Sequence, residues 1–263
     1  MPRHQWDLQL ENSLIAEQLN YDIENERDRA RVEGEKLNAE QAEAFQQIFE
    51  SARDGLSKRF FVNGPGGTGK TFLYRVLCHA ARGEAWIFLC VASSGIVALL
   101  LIGGRTAHYM FKIPVEGLDD ASMCNISKES NRAALLHSAR LIIWDKITMQ
   151  HRNAPEALDR TLRDIRNDNR PFGGLTVVFG GDFQQILPVV PKGSREDIVN
   201  ATIQRSYLWN EIEILHLKWN MRLEQTQDEE EQEFAKWLLN VGHGHGTSPD
   251  GVLKLPDEMV CAD

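Results

Sequence analysis

Short apolar runs alternate with helical patterns along the chain, and this alternation predicts the fold. Residues 155–168 show helical spacing, because Leu158, Leu162 and Ile165 form one apolar stripe and Pro155 suits a first turn. The apolar runs that we interpret as buried strands are residues 59–64, 85–93, 140–145, 175–182 and 212–217. Strands that alternate with helices predict an α/β fold with a doubly wound parallel sheet, which binds its ligands at the carboxyl ends of the strands.

Three segments of different character divide the chain. Residues 1–36 have a charged, weakly amphipathic helical pattern, which is either a solvated helix or the extension of a preceding domain; the charge of its second half favours the solvated helix. Residues 37–223 are predicted to form the α/β domain, which begins with a helix capped by Asn38. Residues 224–263 are predicted to form an acidic, helical C-terminal segment.

The net charge of −9 is distributed unevenly along the chain. Residues 1–36 contain 5 basic and 9 acidic residues, and residues 224–263 contain 2 and 10. Residues 37–223 contain 22 basic and 19 acidic residues, which gives this middle part a net charge of +3. The middle part is therefore compatible with a partner that carries phosphates, although its charge alone does not require one.

Hydropathy and cysteine spacing narrow the class of protein further. No apolar run reaches the roughly 18 residues that a membrane span needs, and the first residues lack the apolar stretch of a signal peptide, so we expect an intracellular protein without a membrane partner. The cysteines lack disulfide or zinc-ligand spacing, and we interpret them as small buried residues: Cys78, Cys90, Cys124 and Cys261. The sequence does not define the oligomeric state, and a monomer is the default expectation.

The segment "GPGGTGKT", Gly64 to Thr71, has the G-x-x-x-x-G-K-[ST] pattern of a phosphate-binding loop. A predicted strand precedes it and a helical pattern follows it, which disfavours the alternative of a simple flexible turn. In such a loop the backbone N–H groups surround the β-phosphate, Lys70 reaches the β- and γ-phosphates and Thr71 binds magnesium. The predicted nucleotide-binding residues also include Pro65, Gly66, Gly67, Thr68 and Gly69.

Two acids end predicted strands. Asp145 follows "LIIW" and is the candidate that holds magnesium through a water molecule, together with Thr71. Asp182 ends "VVFGGD", and Gln185 on the following loop is a candidate sensor of the γ-phosphate. ATP and Mg²⁺ are therefore the predicted cofactors.

Taken together, the motifs resemble the PIF-type (petite integration frequency) DNA helicases, especially the version carried by Helitron-like elements. The resemblance covers nearly all of residues 37–260 and includes "LNAEQ", the phosphate-binding loop, "VASSGIVALLLIGGRTAHYMFKIP", "LIIWD", "RPFGGLTVVFGGDFQQILPVV" and "NMR". It implies a RecA-like P-loop domain, the first of the two that such helicases use. It further implies ATP-dependent 5′-to-3′ DNA unwinding, roles in repair, recombination and telomere maintenance, and a nuclear location.

The resemblance also implies roles for individual residues. Gln41 would recognise adenine, Gln185 would sense the γ-phosphate and Arg222 would stabilise charge in the transition state. The residues implied to line a path for single-stranded DNA are Thr106, His108, Phe111, Lys112, Pro171, Phe172 and Gly173. Hydroxyl groups and cations suit phosphates, and exposed aromatic rings can stack on bases. From the residues alone, however, the favoured interpretation of Phe111 and Phe172 is that they are core residues, and His108 is interpreted as a structural histidine.

The chain departs from the family pattern at three points. Lys146 occupies the position of the glutamate that polarises the attacking water, and a protonated lysine cannot act as that base. Trp219 stands where the relatives usually carry an acidic residue, and the sequence ends at Asp263 without a second RecA-like domain. We therefore expect nucleotide binding with slow or absent hydrolysis. Two alternatives stay open: a catalytically decayed ATP- and DNA-binding module derived from a Helitron-like element, and a nucleotide-dependent structural switch.

Overall fold

The computed structural model describes residues 12–221, 229–242, 244–245, 252–253 and 255. The chain divides into two compact units, Met1–Trp219 and Asn220–Asp263. The first unit contains the sheet and the helices around it. In the second unit, the main described element is one helix, Glu229–Gly242.

A parallel sheet forms the centre of the first unit. Its strands are β1 Arg59–Asn63, β2 Ile87–Ala92, β3 Arg105–Thr106, β4 Ala139–Asp145, β5 Thr176–Gly181 and β6 Ile212–His216. They lie in the order β3-β2-β4-β5-β1-β6, and every pair is parallel. This arrangement confirms the predicted doubly wound α/β fold, and it brings the carboxyl ends of β1, β4 and β5 to one edge of the sheet.

Helices connect the strands and cover both faces of the sheet. They are α1 Ser13–Leu19, α2 Ile23–Gly34, α3 Ala39–Arg53, α4 Lys70–Gly83, α5 Gly95–Ala98, α6 Ala107–Phe111, α7 Asn131–Ser138, α8 Asn153–Arg166 and α9 Arg195–Asn200. The helix of the second unit is α10 Glu229–Gly242. Short 3₁₀ turns occur at Ile147–Met149, Pro171–Gly174, Ile203–Arg205 and Tyr207–Glu211. The predicted cap of α3 is confirmed, because Asn38 and Gln41 form a reciprocal capping box.

The alternation of side chains along each strand produces two hydrophobic clusters, one on each face of the sheet. One cluster joins strand residues such as Phe61 and Trp144 to Leu158 and Leu162 of α8. The other joins strand residues on the opposite face to Ile48 of α3 and to residues of α4. Cys78, Cys90 and Cys124 are buried, as predicted, and Cys261 lies outside the described residues.

Two features of the sheet differ from the sequence prediction. The sequence predicts a buried strand over residues 212–217, but β6 is an edge strand, with Ile214 44% exposed. An edge strand has one neighbour, so part of its surface stays in water despite its apolar sequence. The opposite edge, β3, has two residues, which is too short for a periodic pattern to reveal.

The charged segment before residue 37 also differs from the expected solvated helix. It contains α1 and α2, and α2 packs along α4, the helix that follows the phosphate-binding loop. Glu26 of α2 is buried and accepts hydrogen bonds from His79 at 2.5 Å and from Arg82 at 3.4 Å. A buried carboxylate with two partners stabilises a packed helix, and overall charge alone could not reveal this contact.

Candidate nucleotide site and nucleic-acid surface

The phosphate-binding loop lies between β1 and α4, as predicted. Gly67 and Gly69 have positive φ angles of 89° and 78°, which glycine adopts without strain. Gly64 lies so close to the backbone of Leu217 that a Cβ at position 64 would be 2.7 Å from the Leu217 carbonyl oxygen. Thr68 Oγ1 donates a hydrogen bond to the carbonyl oxygen of Pro65 at 2.9 Å. The loop is therefore shaped by its own side chains and glycines to present backbone N–H groups beside the N-terminus of α4.

Lys70 is the first residue of α4, and its side chain turns back toward the loop. Its ammonium group donates hydrogen bonds to the carbonyl oxygens of Gly64 and Pro65, the latter at 3.2 Å. Burial lowers the pKa of Lys70, Lys146 lowers it further, and Asp145 and Asp182 oppose this shift. Lys70 follows β1, Asp145 and Lys146 lie at the end of β4 and Asp182 follows β5, so all four residues lie at the carboxyl edge of the sheet.

Thr71 and Gln41 occupy different positions around the loop. Thr71 is exposed in the first turn of α4, where a hydroxyl can reach a phosphate-bound cation. Gln41 is fully buried; its side chain accepts a hydrogen bond from Asn38 N and donates one to the carbonyl oxygen of Thr68 at 3.1 Å. Gln41 thus links the N-terminus of α3 to the loop, and its predicted contact with adenine stays a prediction.

Asp145 ends β4 with its carboxylate buried at 3% exposure. Its Oδ1 accepts a hydrogen bond from Lys146 N at 2.9 Å. Burial raises the pKa of Asp145, while the backbone of Lys146 and the charges of Lys146 and Lys70 act in the opposite direction. Gly180 makes room for this carboxylate, since a Cβ there would lie 2.8 Å from Oδ1. A buried carboxylate whose pKa is shifted by burial and by charged neighbours is typical of a functional site.

Magnesium fits these residues. A hydroxyl from Thr71 and a carboxylate from Asp145 are the oxygen ligands that Mg²⁺ prefers, and Mg²⁺ usually takes its remaining ligands from water and phosphate. In the part of the chain that the structure describes, no group of three or more His, Cys, Asp or Glu side chains could hold a metal alone. The site therefore suits a cation that arrives with a nucleotide.

Lys146 and Gln185 meet beside Asp145. The Lys146 ammonium donates a hydrogen bond to Gln185 Oε1, and Gln185 Nε2 donates one to Asp182 Oδ2 at 2.9 Å. Asp182 is itself buried, and its Oδ1 accepts a hydrogen bond from Gln184 N at 3.0 Å. The structure therefore places the predicted phosphate sensor in direct contact with the residue that replaces the usual glutamate.

The predicted DNA-path residues divide into exposed and buried groups. Lys112 is exposed, and Thr106, His108 and Pro171 are partly exposed. Burial lowers the pKa of the His108 imidazole, which favours its neutral form. The main chain of Gly173 approaches α8 so closely that a Cβ would lie 2.5 Å from the carbonyl oxygen of Leu162.

Phe111 and Phe172 correct one expectation. Both are completely buried in the hydrophobic cluster that packs on α8, so neither ring can stack on a base. Phe111 lies 5.7 Å from Trp144 between ring centroids, and Phe172 lies 5.8 Å from Phe179. The alternative interpretation, that these two residues belong to the core, agrees with their burial.

Tyr109 is the exposed aromatic residue of this region, and sequence reasoning missed it. Its side chain is 54% exposed, and Lys112 Nζ and Arg132 Cζ each lie 5.3 Å from the centre of its ring. In the short helix α6 the core side is occupied by Met110 and Phe111, which turns Tyr109 outward. An exposed ring with two neighbouring cations has the chemistry of a base-stacking platform.

Two further residues that the sequence analysis singled out are Trp219, which ends the first unit, and Arg222, which falls in the second unit. Trp219 is 53% exposed, and its backbone N–H, like that of Lys218, donates a hydrogen bond to Glu40 Oε2 in the first turn of α3. Arg222 lies outside the described residues, so its role as a transition-state arginine stays a prediction.

The fold and the loop define a P-loop NTPase of the RecA-like class. The model of the PIF1-like helicase family matches residues 36–251, and the chain belongs to this family. Among curated proteins, it is 28% identical over 200 residues to the ATP-dependent DNA helicase Pif1 of Psychrobacter sp. (75% of this chain, 30% of that protein). It is 26% identical over 232 residues to human ATP-dependent DNA helicase PIF1 (83% of this chain, 34% of that protein).

Solved Pif1 structures share the fold. The Candida albicans Pif1 helicase aligns with a TM-score of 0.65 and 26% identity, over 85% of this chain and 50% of that chain. A Bacteroides Pif1 helicase in complex with ADP-AlF3 and ssDNA aligns with a TM-score of 0.64 and 26% identity, over 80% and 47%. The chain thus spans about a third of the length of these curated relatives and about half of these solved chains. No described helix is both long and apolar enough to cross a membrane.

Proposed function

We propose that the chain is the ATP-binding RecA-like domain of a Pif1-type 5′-to-3′ DNA helicase, and that it binds ATP with Mg²⁺ but hydrolyses it slowly. The observation that carries the proposal is the position of Lys70, Asp145 and Lys146 at the carboxyl edge of the sheet, where Lys70 contacts the phosphate-binding loop and Lys146 N contacts the Asp145 carboxylate. The first two belong to a phosphate and magnesium site, and the third replaces the group that would activate water.

Nucleotide binding follows from the residues that remain intact. The loop supplies backbone N–H groups, Lys70 supplies a cation, and Thr71 and Asp145 would hold Mg²⁺, which when bound neutralises phosphate charge. Charge stabilisation of this kind acts on the bound nucleotide and needs no general base. Binding of ATP is therefore expected to survive the replacement at position 146.

Slow hydrolysis follows from the chemistry of Lys146. A general base contributes roughly 10² to 10⁴ to a rate, and an ammonium group has no lone pair with which to accept the proton of water. In addition, the side-chain oxygen of Gln185 accepts a hydrogen bond from Lys146, so this oxygen is not available to accept one from a water molecule. The site can thus hold a triphosphate without promoting its cleavage.

Single-stranded DNA is the proposed macromolecular partner. The Bacteroides relative was solved with ssDNA, and this chain carries Thr106, Lys112 and the exposed ring of Tyr109 on one surface segment. Hydroxyl, ammonium and aromatic groups together suit a sequence-independent grip on a single strand. Roles in repair, recombination and telomere maintenance, and a nuclear location, stay predictions from the family resemblance.

Titration of the chain with a fluorescent ATP analogue, with and without Mg²⁺, tests the proposal. We expect binding that requires Mg²⁺ and that falls by more than about tenfold in Lys70→Ala, because a charge-assisted phosphate contact contributes about 1.5–3 kcal/mol. Absence of binding to the unmodified chain would contradict the proposal.

Turnover assays with and without single-stranded DNA then separate the alternatives. Binding of both ligands without turnover would favour the decayed binding module. Rapid turnover that DNA leaves unchanged would favour the nucleotide-dependent switch and would contradict the proposed defect in water activation.

A further inference from the structure

The backbone of Lys146 is fixed at the carboxyl end of β4. Its φ and ψ angles are 57° and 37°, a left-handed conformation that costs free energy for a lysine. Ser93 Oγ donates a hydrogen bond to the carbonyl oxygen of Lys146 at 2.7 Å, and Lys146 N donates one to Asp145 Oδ1. Ser93 is itself held by Trp144 Nε1 at 3.2 Å. The neighbouring strands therefore hold residue 146 in one position, from which its ammonium group reaches the side chain of Gln185.

The side-chain amide of Gln185 is occupied at both ends. Its oxygen accepts from Lys146, and its nitrogen donates to Asp182. The backbone N–H of Gln185 also donates to the carbonyl oxygen of Asp182 at 3.1 Å, which closes a tight turn. The side-chain oxygen of Gln185 therefore faces Lys146. A phosphate offers only acceptor atoms, so it cannot form a hydrogen bond with this oxygen.

Lys146 has the donors that a phosphate needs. An ammonium group has three N–H donors, and the contact with Gln185 uses one of them. Lys146 directly follows the carboxyl end of β4, and Lys70 follows the phosphate-binding loop at the carboxyl end of β1, so both lysines lie at the same edge of the parallel sheet. An anion bound at this edge would be attracted by both ammonium groups.

We infer that Lys146 binds the γ-phosphate, with Gln185 as its positioning residue, and that this contact makes the site select nucleoside triphosphates over diphosphates. The inference rests on the proposed nucleotide site. It assigns the selectivity of that site to Lys146, the same residue that is proposed to prevent the activation of water. A diphosphate leaves the position beside Lys146 without phosphate oxygens, so it gains little from the second cation.

The test compares dissociation constants for a non-hydrolysable ATP analogue and for ADP, both with Mg²⁺. In Lys146→Met, which keeps the length of the side chain and removes its charge, we expect triphosphate affinity to fall about 10- to 100-fold and ADP affinity to change less than about twofold. Gln185→Ala is expected to shift the same ratio in the same direction by a smaller factor. Lys58→Met, before the amino end of β1, is the matched control and should leave both constants unchanged.

The outcomes separate the inference from the proposed function. A selective loss of triphosphate affinity in Lys146→Met supports the inference. Binding of both nucleotides with an unchanged ratio in that variant overturns it and leaves the nucleotide site intact, whereas a chain that binds neither nucleotide overturns both. Lys146→Gln serves as a second variant with an uncharged polar side chain, and circular dichroism shows whether each variant is folded.

Discussion

The ammonium group of Lys146 donates a hydrogen bond to the side-chain oxygen of Gln185. The resemblance to the PIF-type helicases implies a glutamate at position 146, and its carboxylate would accept a proton from the attacking water. Here the same position carries a donor, and it is joined to the predicted phosphate sensor. The proposed account of the molecule follows from this pair: the site favours a bound triphosphate and lacks the group that would cleave it.

The Asp145 carboxyl is expected to reduce the stability of the folded chain. Burial raises its pKa in the folded state, so its contribution to stability is complete below the unfolded pKa of about 3.9 and is lost as the pH rises through the folded pKa. Asp145→Asn should therefore raise the free energy of unfolding at pH 7 by about 0.5–2 kcal/mol, while Mg²⁺-dependent nucleotide binding weakens. Urea unfolding at pH 7 and pH 3.5 measures the gain, which should shrink at the lower pH.

The carboxyl of Asp168 serves as a control, because its pKa in the folded chain is lowered whereas that of Asp145 is raised. Hydrogen bonds from Arg170 lower the pKa of this partly exposed carboxyl to about 2, so its contribution to stability is present above about pH 3.9 and is lost as the pH falls toward 2. Asp168→Asn is expected to lower the melting temperature at pH 7. If both Asn variants shifted stability in the same direction, the electrostatic explanation for Asp145 would be wrong.

Tyr109 and Phe111 should respond differently to replacement although they are two residues apart. Tyr109→Ala removes an exposed ring and is expected to weaken binding of single-stranded DNA by about 1–3 kcal/mol with little effect on unfolding. Phe111→Ala removes a buried ring and should lower the free energy of unfolding by about 3–5 kcal/mol. Fluorescence anisotropy with a labelled oligonucleotide and urea unfolding measure the two effects, and a destabilised Tyr109→Ala would contradict the assignment.

The helices before residue 36 are expected to support the fold. Glu26→Ala leaves His79 and Arg82 without their carboxylate partner and should lower the free energy of unfolding by about 3 kcal/mol. Asp28→Ala on the exposed side of the same helix should change it by less than about 0.5 kcal/mol. Equal unfolding midpoints for the two variants would show that the contact between α2 and α4 contributes nothing measurable.

Sequence patterns predicted the parts of this molecule that local chemistry determines. The glycines and lysine of "GPGGTGKT", the cap at Asn38 and the strand that ends at Asp145 each depend on neighbours within a few residues, and the structure contains all of them. The model of the PIF1-like helicase family matches residues 36–251, and this range contains all three of these features.

The remaining features depend on contacts between distant residues. Whether Phe111 faces the core or the solvent depends on Trp144, and whether Glu26 is solvated depends on His79. The pairing of Lys146 with Gln185 joins positions 39 residues apart and likewise could not be read from either motif alone. In each case the outcome depends on tertiary contacts that no local pattern of residues contains.

Single-turnover ATP hydrolysis tests the central claim most directly. The unmodified chain and Lys146→Glu are each mixed in excess with Mg²⁺ and labelled ATP, and Lys70→Ala in the Lys146→Glu background shows that any turnover arises at this site. We expect Lys146→Glu to hydrolyse ATP about 10² to 10⁴ times faster than the unmodified chain, because it restores a carboxylate beside Asp145. Equal rates for the unmodified chain and Lys146→Glu would contradict the claim that residue 146 is where hydrolysis fails.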